Sequence, residues 1–397
     1  MHSVTIPESV TTIESYAFRG CSSLENIIIP ISVTKIGTGA FDGCTSLKNI
    51  TIPESVTDIS PCAFYGCTSL ESIMIPDSVT YLGNRAFNKC TSLKNITLSE
   101  SLTSIEHATL SNCASVKSII IPQAVTDIDP SAFCGCVSLE SIVVAEGNPV
   151  YDSREGCNAI IETETNSLIV GCKTTIVPES VTQIGHYAFS DCTSLSNITL
   201  HAKVTKIKGD AFYGCASLES ITIPESVTEI GRDAFTGCTS LKSITIPAST
   251  TVLHWPIFEG CASLESIVVA EGNPMYDTRE GCNAIVETDT NTIVTGCATT
   301  IIPESVTKIG PAAFVGCSSL QSITIPSSVT EIGYCAFKGC NSLKTIAIPE
   351  SVTEIGHSVF QDCTSLKSII IPESVTEIGW GRSTVAPRLK ASQFPKR

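Results

Sequence analysis

The chain has 397 residues, 42% hydrophobic and only 16% charged, which supplies ample apolar side chain for a core and too little charge for a disordered polymer. Its net charge of −15 at pH 7 argues against nucleic acid and against an anionic membrane surface, since phosphate binding needs clustered Lys and Arg. No run of about 18 apolar residues is present to span a bilayer, and the first seven residues, MHSVTIP, have neither a basic nor an apolar leader region.

A 23-residue period runs along the chain. Its clearest marker is cysteine, at 21, 44, 67, 90, 113 and 136, then 192, 215, 238 and 261, then 317, 340 and 363. The two breaks in the series are each 56 residues, two periods plus ten, so one insertion occurs twice. Within a unit such as Cys215 to Gly237, Leu218, Ile221 and Ile223 face inward and Thr222 outward, the alternation of a strand. Pro224 ends that strand because it has no N–H for a ladder. Val227 and Ile230 form a second short extended pair.

Pro61, Pro130 and Pro311 follow Ser60, Asp129 and Gly310, which predicts an N-cap and the first position of a single 3₁₀ or α turn carrying Ala234 and Phe235 inward. The residue before each column cysteine is usually Gly, otherwise Asn, Asp or Lys, the preference of a left-handed position. One coil cannot bury its own inward side chains, so neighbouring coils must stack and turn each column into a ladder of like residues.

In chain order, a first block of coils runs to Cys136, with a degenerate coil at 98–116 that loses its Pro and Phe columns. Residues 145–175 are the first insertion, two apolar runs around Thr163-Glu164-Thr165-Asn166, the pattern of a β-hairpin. With the two central residues as the loop, Ile161 faces Leu168 and Cys157 faces Cys172, which makes a cross-strand disulfide a candidate. The second block closes on another degenerate coil, 247–264, which introduces His254 and Trp255. Residues 270–300 repeat the insertion and pair Cys282 with Cys297. A third block runs to residue 379, and 380–397 leaves the repeat as a basic segment expected to be disordered.

The phrase IPESVTEIGRDAFTGCTSLKSITIP resembles the BspA-like leucine-rich repeats of bacterial and protozoan surface proteins, and the resemblance covers about residues 3 to 379. It implies a curved right-handed repeat stack with no cofactor, used for adhesion to host proteins or to other cells. The expected fold is therefore one repeat solenoid over 1–379, mainly parallel strand ladders, with hairpins inserted at 145–175 and 270–300. The expected function is a non-enzymatic protein-binding module at the cell surface or secreted, an intracellular interaction scaffold being the alternative.

Candidate ligand contacts are Tyr151, Asp152 and Arg154, their counterparts Tyr276, Asp277 and Arg279, and Trp255 as an aromatic anchor. Such loop residues more often pin an insertion to the stack by local hydrogen bonds. The column cysteines read as buried reduced thiols, and without a C-x-x-C pair no zinc site is expected. Glu331, Glu354 and Glu377 form an acidic column that reads as solvated carboxylates rather than a calcium site. The six histidines lie on different coils, which nominates no catalytic group. Neither end carries a recognisable polar cap, which points to a fragment, a late start, or association through the ends.

Overall fold

The computed structural model describes residues 2–379; the segment 380–397, expected to be disordered, lies outside the described residues. The chain divides into two compact units, Met1–Lys203 and Val204–Arg397.

In the first unit, the strands Ser3–Thr5, Asn26–Ile28, Asn49–Thr51, Ser72–Met74 and Asn95–Thr97 form one parallel sheet with a constant shift of one period. From the second strand on, their middle residues are buried and their outer two exposed, so the isoleucines supply the core and the Asn, Ser and Thr positions meet solvent. The two-residue strands Thr12–Ile13, Lys35–Ile36, Asp58–Ile59 and Tyr81–Leu82 make the second ladder, again parallel and in the same register. Both ladders end at this point and restart at Ser104–Ile105 and Ser118–Ile121, the position of the degenerate coil 98–116.

The third side of each coil is a run of turns and not the helical turn expected from the Pro column. Alternate amides bond locally and across: Ala63 N–H donates to Ser60 and Tyr65 N–H to Cys62, while Cys62, Phe64 and Gly66 donate to Asn84, Ala86 and Asn88 of the next coil. Two left-handed residues per coil, Cys62 at φ 57° and Gly66 at φ 66°, turn every second amide outward and so exclude a continuous helix. The left-handed position before each column cysteine is therefore as expected, Lys89 and Asp191 included.

The side-chain columns close the remaining polar accounts. Phe41, Phe64 and Phe87 are fully buried and stack with centroids 5.2 Å apart, nearly parallel. Cys67 Sγ donates to the Phe41 carbonyl at 3.2 Å, and Cys44, Cys90 and Cys113 repeat that contact on their own coils. Ser55 and Ser78 donate to the carbonyls of Val33 and Val56, which explains the recurrent Ser of the ESV phrase.

The second unit is built alike. Lys206–Ile207, Glu229–Ile230 and Val252–Leu253 continue one ladder, Ser243–Ile246 pairs with Ser266–Val269, and beyond the insertion Lys308–Ile309, Glu331–Ile332, Glu354–Ile355 and Glu377–Ile378 align in register.

Each insertion holds one strand more than the expected hairpin. Tyr151–Asp152 pairs antiparallel with Ile160–Glu162, which pairs with Ser167–Val170, and this last strand runs parallel to Gln183–Ile184. The third strand is thus a rung of the second ladder, and Gly171 beside it leaves room for a ring: a Cβ there would meet Phe189 at 2.2 Å. Tyr276–Asp277, Ala284–Glu287, Thr292–Gly296 and Lys308–Ile309 repeat the arrangement in the second unit.

Candidate functional site

The residues nominated in the insertions are held by one another. Asp152 sits on the first insertion strand, and Arg154 opens a three-residue 3₁₀ turn, Arg154–Gly156, kinked by Glu155 at φ 59°. The guanidinium lies bidentate on Asp152, with Nε 2.8 and 3.0 Å from its two carboxylate oxygens and Nη2 2.7 Å from one of them. Its Nη1 donates to Asn166 Oδ1 at 2.9 Å, tying the turn to the hairpin tip. Asp277, Arg279 and Asn291 repeat the clamp, with Nη1 2.6 Å from Asn291. In both copies the carboxylate hydrogen bonds hold the guanidinium in its charged form and raise its pKa.

Tyr151 and Tyr276 are buried, and burial raises both phenols above their ordinary value. Each phenol oxygen accepts from the backbone of the preceding ladder strand, at Ile128 and Leu253 respectively, and so caps a sheet edge. Trp255 is half-buried and meets Tyr276 edge to face at 6.1 Å, two candidates that the sequence kept apart.

The four insertion cysteines are free, as are the other sixteen. Ile161 does face Leu168, but a bulge between Ile160 and Ile161 shifts the ladder so that Ile160 faces Val170. That shift removes the alignment of Cys157 with Cys172. The two thiols bond separate carbonyls, Ala159 and Asn158, and a bulge between Ile285 and Val286 does the same for Cys282 and Cys297.

Stacking also creates a contact that the linear spacing of the histidines hides. His107 Nδ1 lies 2.8 Å from Ser131 Oγ, which itself donates to Asp129 at 2.5 Å. An activated serine needs the carboxylate on the far ring nitrogen of its histidine; here the carboxylate takes the hydroxyl proton itself. The acidic column places Glu331, Glu354 and Glu377 on adjacent strands, with Lys308 Nζ 2.8 Å from Glu331. No group of three or more metal-ligating side chains is found among the described residues.

The feature that sequence reading missed is on the outer face of the first ladder. The outward column of this ladder and of its restart beyond the degenerate coil carries Ile28, Met74, Ile120 and Val143, and the first three are 74%, 68% and 61% exposed. Thr51 and Thr97 alternate with them. A shallow groove of about 590 Å³ lies around Met74, lined also by Asn49, Thr51, Ser72 and Thr97, with Glu54 at its margin. Beyond Pro53 and its equivalents stands an exposed acidic column, Glu54, Asp77, Glu100 and Glu146. The alternating charges on the other flank pair within the ladder, Lys48 with Glu25 and Lys94 with Glu71.

The sequence profile of the BspA type leucine rich repeat region matches residues 1–87, 57–154, 161–277 and 295–395. The chain belongs to that family. A leucine rich cell surface protein of Faecalibacterium prausnitzii is 30% identical over 96% of this chain and 80% of its own, with a TM-score of 0.49. A leucine-rich repeat protein of Eubacterium ventriosum, 18% identical over 95% and 89% with a TM-score of 0.51, shares the fold. So does the pneumococcal vaccine antigen PcpA, 21% identical over 96% and 89% with a TM-score of 0.55. No curated protein matches the chain. No helix of the described residues is long and apolar enough to cross a membrane.

Proposed function

We propose that this leucine-rich-repeat chain is a non-enzymatic, adhesin-like module, displayed at the cell surface or secreted, that binds proteins of a host or of neighbouring cells. Its contact surface is the outer face of the first ladder in the Met1–Lys203 unit. The observation that carries this reading is the exposed apolar column of Ile28, Met74, Ile120 and Val143. Water-exposed Ile and Met on a regular strand face add nothing to the core, and apolar area of this kind marks association sites. The unpaired acidic column beside it favours a partner segment carrying Lys or Arg, steered by charge and held by apolar contact.

The insertions brace the second ladder of their own units. Their arginines and tyrosines are committed to internal contacts, while Glu164 and Asp289 at the hairpin tips are exposed. A second reading, an intracellular scaffold, has the twenty free thiols in its favour, since reducing compartments keep cysteines in that state.

The test is binding of the labelled chain to intact host epithelial cells. Met74→Glu and Ile120→Glu together should reduce binding about tenfold or more, because each buries a charge at the contact, while leaving the unfolding midpoint unchanged. Retained binding by that variant, with loss on Glu164→Arg and Asp289→Arg, would move the site to the insertions. Removing residues 145–175 outright is a poor test, because Ser167–Val170 is a rung of the second ladder.

A further inference from the structure

A second concave site lies in the Val204–Arg397 unit, where the degenerate coil and the second insertion meet. The groove measures about 410 Å³, within the range of small-ligand sites. One wall carries Trp255 and Glu259, with Arg232 from the preceding coil; the other carries Tyr334 and Lys338. Val294 of the insertion and Val315 give it an apolar lining.

Both rings are braced from outside the groove. Trp255 is held edge to face by Tyr276, and Tyr334 stacks on His357 at 5.0 Å with the planes 11° apart. Such bracing fixes the rings before a ligand arrives and lowers the entropy lost on binding. Among the described residues neither Lys338 nor Glu259 has an ion-pair partner, and Arg232 engages Asp233 through Nε alone. The chain supplies its own control: 125 residues earlier, beside the first insertion, Pro130 stands where Trp255 does. The aromatic wall therefore belongs to one copy of a duplicated element and is not a requirement of the repeat.

We propose that this groove binds a carboxylated saccharide ring of the uronic acid type. The C–H face of the sugar would lie on Trp255 and Tyr334, its carboxylate would take Lys338 and the free guanidinium nitrogens of Arg232, and its hydroxyls would donate to Glu259. A neutral sugar leaves the two cations unmatched, and a purely aromatic acid leaves the Glu259 carboxylate without a donor. The site is independent of the first-ladder face, and neither depends on the other for its test.

The experiment uses the full chain with Trp380→Phe, which makes Trp255 the only tryptophan. Glucuronate, glucose and phenylacetate are titrated in turn while Trp255 fluorescence is followed. The expected result is a saturable change with glucuronate, weaker binding of glucose, and a loss of about tenfold in glucuronate affinity on Lys338→Met, with glucose unaffected. Tyr334→Ala should weaken both sugars, and circular dichroism of each variant verifies folding. No saturable response to glucuronate, equal affinity in Lys338→Met, or tighter binding of phenylacetate than of glucuronate overturns the proposal.

Discussion

Raising the pH should unfold the Met1–Lys203 unit abruptly, and the cysteine ladder sets where. Cys44, Cys67, Cys90, Cys113 and Cys136 are buried on five successive coils, each donating its S–H to a carbonyl of the preceding coil. Burial raises all five thiols, Cys44, Cys90 and Cys136 to about 12 and the other two well above their ordinary value. In the unfolded chain they ionise near pH 8.5 or so. A raised folded pKa means that the stabilisation is complete below the unfolded value and is lost as pH climbs towards the folded one. Between about pH 9 and 12 the unfolded state lacks the five protons that these thiols keep in the folded one, so this ladder alone lowers stability by about 7 kcal/mol per pH unit, at about 1.4 per proton.

From pH 7 to 10 the loss amounts to about 2 kcal/mol per thiol, or about 10 in all. That equals the whole stability of an ordinary domain, about 5–15 kcal/mol. Urea midpoints followed by circular dichroism at half-unit steps from pH 7.5 to 10.5 measure the slope directly. Cys67→Ala, Cys90→Ala and Cys113→Ala combined should lower the slope by about 4 kcal/mol per pH unit, since three of these protons are removed. Secondary structure that persists to pH 11, or thiolate absorbance that rises while the fold is intact, would refute the assignment of these groups as enclosed thiols.

Three further outcomes follow from the contacts. Denatured, unreduced protein should titrate twenty thiols with a chromogenic disulfide reagent, and a count short by two or four would restore the insertion disulfides. Arg279→Met should release the tip of the second insertion, at about 1–2 kcal/mol of local stability, read as faster amide exchange across residues 288–295 with little change elsewhere. Gly231→Ala should lower stability by about 3 kcal/mol, because the added Cβ would sit 2.2 Å from the Gly209 amide nitrogen and 2.5 Å from the Lys208 carbonyl carbon, neither of which is a movable side chain; a thermal midpoint within a degree or two of the parent would contradict the close approach of these coils.

What the sequence reveals about this fold depends on whether a position has one chemical solution or several. The inward Leu, Ile, Val, Ala and Phe columns are legible because stacking at one strand spacing rewards a like neighbour above and below, so selection writes the same residue at every period. The left-handed residue before each cysteine is legible for the same reason, glycine being its commonest answer. Four residues earlier a second left-handed position recurs, at Tyr16, Cys62, Arg85, Tyr187 and Asp233 among others, yet those side chains share no preference for φ > 0 and leave no mark. Without that position the turn reads as helical, which is why the Pro column misled.

Register near the insertion loop was legible from the polar tetrad, whereas the bulge one residue beyond it was not, and the cysteine alignment failed there. The candidate sites divide along the same line. Asp152, Arg154 and their copies were visible as an unusual grouping, and the structure gives them partners within the insertion itself. Ile28, Met74 and Ile120 were hidden because they stand in a column whose commonest residue is threonine, where single apolar residues look like noise until the coils are stacked. In a solenoid every column is a surface or a core, so an outward column that departs from its own consensus is the place to look for what one member binds and another does not.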